Sequence, residues 1–171
     1  MPAARVACQA DVAAVAGLWV AANGARQAEL GLPLGPVAGR GIAEAERQVQ
    51  RRLVDPASFA QLVEEDGELV AMALVLQALD HDGAGADPLP GLAHVSMVAV
   101  RPDRWGRGLG AQVLGLAQLE ARQRGFTRAQ LWTHETNRRA QRLYERLGWQ
   151  ASGRTKIDDF GEQIRHYARE L

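Results

Sequence analysis

Residues 92–125 read as a strand, a glycine turn and a helix in direct succession. The apolar run LAHVSMVAV is closed by Pro102, and Gly106, Gly108 and Gly110 put three glycines within five positions ahead of a helical pattern that ends near Gly125. Removing three side chains at such a turn brings the backbone close to something. A helix N-terminus offers unpaired N–H groups and the positive end of the helix dipole. Glycines let an anion reach those groups without meeting a Cβ, and phosphate is the usual guest. Arg104 and Arg107 flank the turn and can add charge-assisted bonds. The segment lacks the Gly-Lys-Ser/Thr ending of a Walker A loop, and its third glycine comes one place too early for a dinucleotide fingerprint. A tight turn without a ligand is the alternative.

The neighbouring elements follow from apolar period and punctuation. RVAC is a short strand, and Asp11 caps a helix running to about Asn23, where Asn-Gly stops it. Residues 24–41, with five glycines and two prolines, read as loop or broken helix. Ile42, Ala45, Val49 and Leu53 recur at helical spacing, with Pro56 just beyond. Residues 58–79 are two apolar runs around Asp66-Gly67, a hairpin signal, and a polar loop over residues 80–91 follows. After the strand of residues 92–100, the helix buries Leu109, Val113, Leu116 and Leu119 or their neighbours. RAQLWTH is a strand, and residues 137–148 form a helix with Ala140, Leu143, Tyr144 and Leu147 on one face. Residues 149–157 and 162–170 close an antiparallel pair. The order predicts a mixed α/β fold with a largely antiparallel sheet of about seven strands and about four helices. The chain of 171 residues is expected to be one domain over 1–171.

Charge and composition exclude several function classes. Twenty basic and twenty acidic residues give zero net charge, so no global field draws nucleic acid or an anionic membrane. The basic run RQVQRR reads as a solvated helix face. Cys8 is the only cysteine, which rules out an intrachain disulfide and fits a reducing cytoplasm. Asp11 interrupts the apolar core that a signal peptide needs, and no run is long enough to span a membrane. The expected setting is cytoplasmic. No His/Cys/Asp spacing resembles a metal site, and Ser58, Ser96 and Ser152 lack a nucleophile-elbow context. Trp19, Trp132 and Trp149 read as core, since no basic face accompanies them as it would a stacking platform.

A second segment is more specific. NRRAQRLYERLGW, residues 137–149, resembles the N-x-x-A-x-x-L-Y-x-x-x-G-F/W signature of the GNAT superfamily, which transfers acyl groups from coenzyme A to amines. Asn137, Ala140, Leu143, Tyr144, Gly148 and Trp149 all match. The glycine turn is similar to the family's Q/R-x-x-G-x-G/A loop, with Gly108 and Gly110 in the glycine places and Trp105 as a departure in the Gln/Arg place. The two motifs stand in the family's order, with a helix and a strand between them. The resemblance implies that the pyrophosphate of acetyl-CoA meets the N–H groups of Gly106, Arg107, Gly108, Leu109, Gly110 and Ala111. It also implies that Val98, Ala99 and Val100 lend backbone groups to the pantetheine arm, as a sheet edge accepts an added strand. The strand of Leu131 and Trp132 would splay away to leave room for the thioester. No metal is implied.

The same resemblance assigns chemistry. Tyr144 matches a tyrosine near the coenzyme A sulfur; a phenol of pKa ~10 can protonate a thiolate whose acid lies near ~8.5. Packing alone is its alternative. Asn137 is placed to hold the cofactor arm, and it is equally a good N-cap. The base that many relatives carry on the fourth strand falls on His94, with an unperturbed pKa of ~6.5. A satisfied surface histidine is the competing reading there. Glu135, His134 or solvent are the alternative bases, and Ser96, alternating with His94, can hold a water. A backbone N–H near Val98 would serve the oxyanion.

The resemblance implies that the acceptor is chosen mainly by the first two helices, the loop between them and the hairpin loops, here residues 24–41, 79–91 and 158–163. The acids Asp80, Asp82, Asp87, Asp158, Asp159 and Glu162 there would favour a cationic amine, a small molecule before a peptide or protein. The expected reaction is direct transfer to a primary amine without an acyl-enzyme. The competing classes are a non-catalytic acyl-CoA sensor, a protein or peptide N-acetyltransferase, and a module with no cofactor at all. Homodimers are common in the family; nucleic acid and membrane partners are not expected.

Overall fold

The computed structural model describes residues 2–32 and 41–171. In chain order its elements are β1 (Ala3–Val6), α1 (Val12–Glu29), α2 (Gly41–Arg52), β2 (Phe59–Glu65), β3 (Glu68–Leu79), β4 (Pro88–Val100), α3 (Leu109–Gln123), β5 (Arg128–His134), α4 (Arg138–Arg146), β6 (Gln150–Ile157) and β7 (Gln163–Glu170). One seven-stranded sheet runs β1-β2-β3-β4-β5-β7-β6. Every pairing is antiparallel except β4 with β5. This is the mixed, largely antiparallel architecture expected, with the elements in the expected order. Asp66 and Gly67 both take left-handed φ, 52° and 80°, the conformation a tight hairpin turn demands between β2 and β3.

Two boundaries and one side-chain bond differ from the sequence reading. Helix α1 does not stop at Asn23 but continues through Gly24 to Glu29. Asn23 donates to the Trp19 carbonyl one turn back, and buried Arg26 is held by Glu162 at 3.1 Å and Thr136 at 3.2 Å. These tertiary bonds outweigh a glycine penalty of about 1 kcal/mol. The expected loop at 24–41 is therefore helix at its start and at Gly41; residues 33–40 lie outside the described part. Asp11 stands at the N-cap of α1 as expected, but its side chain makes no capping bond there. Its carboxylate accepts from the Cys8 N–H at 2.7 Å and pairs with Arg5, so it closes the short turn before the helix. Strand β4 starts at Pro88, inside the expected loop, because its first residues continue the ladder beside Leu79.

The sheet separates two apolar layers. One packs Leu109, Val113, Leu114, Ala117 and Ala121 of α3 against it, so Leu119, half exposed, points away from the core. The other packs Val15, Ala16 and Leu18 of α1 and Val49 of α2. Val15 and Val49 are fully buried, each contributing about 1.5–3 kcal/mol of apolar transfer.

Strand β4 changes faces in mid-course. Leu74 of β3 pairs with Met97 while Val75 pairs with Val95, leaving Ser96 as an extra residue, a β-bulge. Before it, Ala93 and Val95 face α3; after it, Met97 and Ala99 join the α1 layer and Val98 and Val100 face α3. The parallel pairing with β5 ends at the same level, at Val95 with Leu131. Beyond that point the strands part.

Candidate active site

The parting of β4 and β5 opens a cavity of about 510 Å³ beneath α1 and α4, within the range of small-molecule sites. Arg101 N–H donates to the Val70 carbonyl on β3. Hydrogen-bonding groups alternate sides along a strand, so those of Val98 and Val100 turn to the side that β5 has left. Ala99 turns its own toward β3, and its side chain is buried in the α1 layer.

At one end of this gap lies the glycine turn. Gly106 and Gly108 hold left-handed φ of 81° and 83°, and a Cβ on either would meet nothing within 4 Å. Both therefore answer a conformational demand, and both leave open space beside the α3 N-terminus. Gln112 donates to the Gly108 carbonyl as the first helical bond, so Leu109, Gly110 and Ala111 have N–H groups with no helical partner. Gly110 is glycine for another reason: its Cβ would come within 3.0 Å of Leu143 Cδ2 on α4. Arg107 is exposed, whereas Arg104 leans on Glu65 and Asp103. Trp105 faces the cavity and donates its indole N–H to the Val100 carbonyl at 2.8 Å. The residue in the Gln/Arg place thus ties the turn to the end of β4.

Helix α4 brings Asn137 and Tyr144 to the opposite wall. The Asn137 side chain accepts from Ala140 N–H at 3.2 Å, the capping bond expected of it. Tyr144 is buried edge-on to Trp149 and tilted against Tyr167. Its hydroxyl has no hydrogen-bond partner among the described residues, and burial pushes the phenol well above the ordinary tyrosine value. A neutral O–H in a cavity wall can donate a hydrogen bond to a group bound there.

The base candidates fall in different places. His94 lines the cavity with its Nδ1 buried and unpartnered. Burial first, then the charges of Arg52 and Lys156, lower it to about 4. Ser96 occupies the bulge beside it. His134 also lines the cavity but is engaged by Asp158 at 3.2 Å. Glu135 is paired with Arg165 at 2.8 Å, its carboxylate committed outside the gap.

Sequence reasoning missed Arg26 and Arg52, which also line the cavity, and the basic company of Trp132. Lys156 lies 4.5 Å and Arg154 5.3 Å from the Trp132 ring centroid. Trp149 is buried as expected, but Trp132 is half-buried in the cavity wall with its indole N–H unpartnered. The expected acidic mouth is partly paired: Arg154 holds Asp82 at 2.5 and 2.6 Å, Arg26 holds Glu162, and Asp158 accepts from the Phe160 and Glu162 N–H groups. Among the described residues no group of three or more His, Cys, Asp and Glu side chains is placed to hold a metal ion. Nor is any described helix long and apolar enough to cross a membrane.

Comparison with known proteins gives a consistent result. Residues 35–149 match the Acetyltransferase (GNAT) family. Over 110 residues the chain is 34% identical to a mycothiol acetyltransferase of Thermobispora bispora, a match spanning 63% of this chain and 35% of that protein. A GNAT-family structure from Desulfovibrio desulfuricans superposes with a TM-score of 0.74 at 20% identity, covering 99% of both chains. A PaiA N-acetyltransferase from Thermoplasma acidophilum, solved in complex with coenzyme A, gives 0.72 at 13% identity over 97% of this chain and 98% of its own. At these identities the likeness of the two structures is one of fold.

Proposed function

The chain belongs to the acetyltransferase (GNAT) family, and from that premise we propose that it moves an acetyl group from acetyl-CoA directly to a primary amine of a small molecule. The observation that carries this reading is the meeting, in one gap, of an unpaired strand edge, a helix N-terminus and the free hydroxyl of Tyr144. The residues present fit acetyl-CoA. Gly106 and Gly108 leave open space beside the N–H groups of Leu109, Gly110 and Ala111, which suits a pyrophosphate. Val98 offers backbone groups along the gap for the amide-bearing arm. Arg107, exposed and close by in sequence, adds positive charge.

In the reaction the amine nitrogen attacks the thioester carbonyl carbon, a C–N bond forms and the C–S bond breaks. The Val98 N–H stabilises the negative charge that develops on the acyl oxygen. Tyr144 gives its proton to the departing sulfur and regains one, through water, from the nitrogen of the new amide. Its raised pKa does not forbid this, because the dry environment that disfavours the phenolate also disfavours the thiolate. The ammonium must first lose a proton. Neutral His94 is a weak base at about 4, so its part is to accept a hydrogen bond from the amine, while water carries the proton away. Arg52 and Lys156, near His94, assist by disfavouring a second positive charge there.

The test is thiol release from acetyl-CoA with a panel of amines, beside calorimetric titration of the protein with acetyl-CoA. Turnover with an amine supports the proposal. Binding with no turnover across the panel supports a sensor instead, and absence of binding removes the proposal.

A further inference from the structure

We infer that the acceptor amine also carries a carboxylate, seated between Arg52 and Lys156 at the end of the cavity away from the glycine turn. This deepens the acetyltransferase reading and rests on it. Arg52 ends α2, is half-buried and lines the cavity, and it has no carboxylate partner among the described residues. Residues 33–40 contain neither Asp nor Glu that could supply one. Lys156, on β6, rests on the Trp132 ring at 4.5 Å and has no ion-pair partner there either. Two buried polar atoms on the same wall, His94 Nδ1 and Trp132 Nε1, also have no partner.

Unpartnered buried N–H groups and a half-buried unpaired guanidinium are costly unless something on the other side completes them. A guanidinium and an indole N–H only donate, so the missing partner is an acceptor. Two cations add the requirement of negative charge. A carboxylate meets both, taking paired N–H bonds from Arg52. The carboxylates of the chain itself do not fill this role. Asp82 is held on both oxygens by Arg154, Asp158 and Glu162 are engaged as described, and Asp159, exposed at the cavity rim, makes no ion pair with Arg52 or Lys156. His94 stands four residues before Val98 on β4, with the Ser96 bulge between them. An acceptor of amino-acid type, with amine and carboxylate a few bonds apart, therefore places its carboxylate at the His94 end and its amine toward the thioester. A diamine would meet Arg52 and Lys156 as repulsion.

The experiment compares free L-amino acids with the matching carboxamides and with linear diamines as acceptors, in the wild-type protein and in Arg52→Gln and Lys156→Gln. The expected result is kcat/KM at least tenfold higher for acids than for their amides. Arg52→Gln should raise KM for the acid about tenfold or more, leave KM for acetyl-CoA in place, and bring the acid-to-amide ratio toward one. A separate arm needs no turnover: N-acetyl amino acids are titrated into the coenzyme A-loaded protein by calorimetry, and saturable binding weakened by Arg52→Gln is expected. Amides or diamines equal to or better than acids would overturn the inference. So would the absence of carboxylate binding to a protein that still binds coenzyme A. Loss of coenzyme A binding itself would instead strike the acetyltransferase reading.

Discussion

The guanidinium carbon of Arg139 stands 4.1 Å from the centroid of the Trp105 ring, and the same guanidinium reaches Glu29 of α1 at 3.2 Å. With the indole N–H bonded to the Val100 carbonyl, one chain of contacts joins the glycine turn, β4, α4 and α1 around the cavity. Trp105→Ala removes a stacked cation, worth about 0.5–1 kcal/mol, and a hydrogen bond worth about 1 kcal/mol. The expected loss is about 1–2 kcal/mol in urea unfolding, together with a higher KM for acetyl-CoA. Trp105→Phe keeps the stack without the indole bond and should fall between. If neither variant changes KM, the tie matters to the fold alone.

Gly110 tests the turn from inside. An alanine there gains about 1 kcal/mol of helix propensity but sets a Cβ 3.0 Å from Leu143 Cδ2, a crowding that costs about 1–3 kcal/mol. Gly110→Ala should therefore be neutral to destabilising in the wild-type background and clearly stabilising when Leu143 is also Ala. A double-mutant cycle read by urea unfolding should give a coupling near 1 kcal/mol. Additivity would mean that α3 and α4 shift apart freely, and the close approach would lose its force as the reason for glycine.

Tyr144→Phe deletes one hydroxyl that has no partner among the described residues, so stability should change by less than about 1 kcal/mol. The rings of Trp149 and Tyr167 keep their neighbour. Turnover should fall about 100-fold, the scale of a lost general acid, while calorimetric affinity for acetyl-CoA holds. Full turnover in the variant would leave the thiolate to depart unassisted and return Tyr144 to a packing role.

Much of this layout was readable in the sequence because its signals are local. The Asp66-Gly67 turn, the strand ending at Pro102 and the Asn137 cap each sit within a few residues of their cause. What was not readable depends on distant partners. The Asn-Gly pair at residues 23 and 24 has a weak preference to end a helix, and Arg26 with Glu162 overrides it from far along the chain. Ser96 becomes a bulge only through the register of β3, and nothing in its immediate sequence announces one. Arg52 closes a basic run that reads as solvated, yet the turn of α2 aims this last arginine into the cavity. Asp82 and Glu162 looked free for the same reason: their cations, Arg154 and Arg26, come from elsewhere.

His94 links the site to stability against acid. Burial, then the charges of Arg52 and Lys156, hold it at about 4, against ~6.5 in an unfolded chain. Between those values the unfolded state binds a proton that the folded state refuses, so stability rises with pH. The contribution is fully present above about pH 6.5 and is lost progressively as pH falls toward 4. Its size is about 1–3 kcal/mol. His166, also lowered by burial, acts in the same direction, so His94→Gln should reduce the slope without abolishing it. Asp11 and Asp103, held below the usual carboxylate range by Arg5 and Arg101, add a slope of the same sign near pH 4.5, which wild type and variant share, so the difference between them reports His94. The measurement is the urea midpoint of wild type and His94→Gln at pH 4.5, 5.5 and 7. A wild-type midpoint that stays level across that range would mean His94 is solvated and ordinary, and the amine would then have to find its hydrogen-bond acceptor in water or His134.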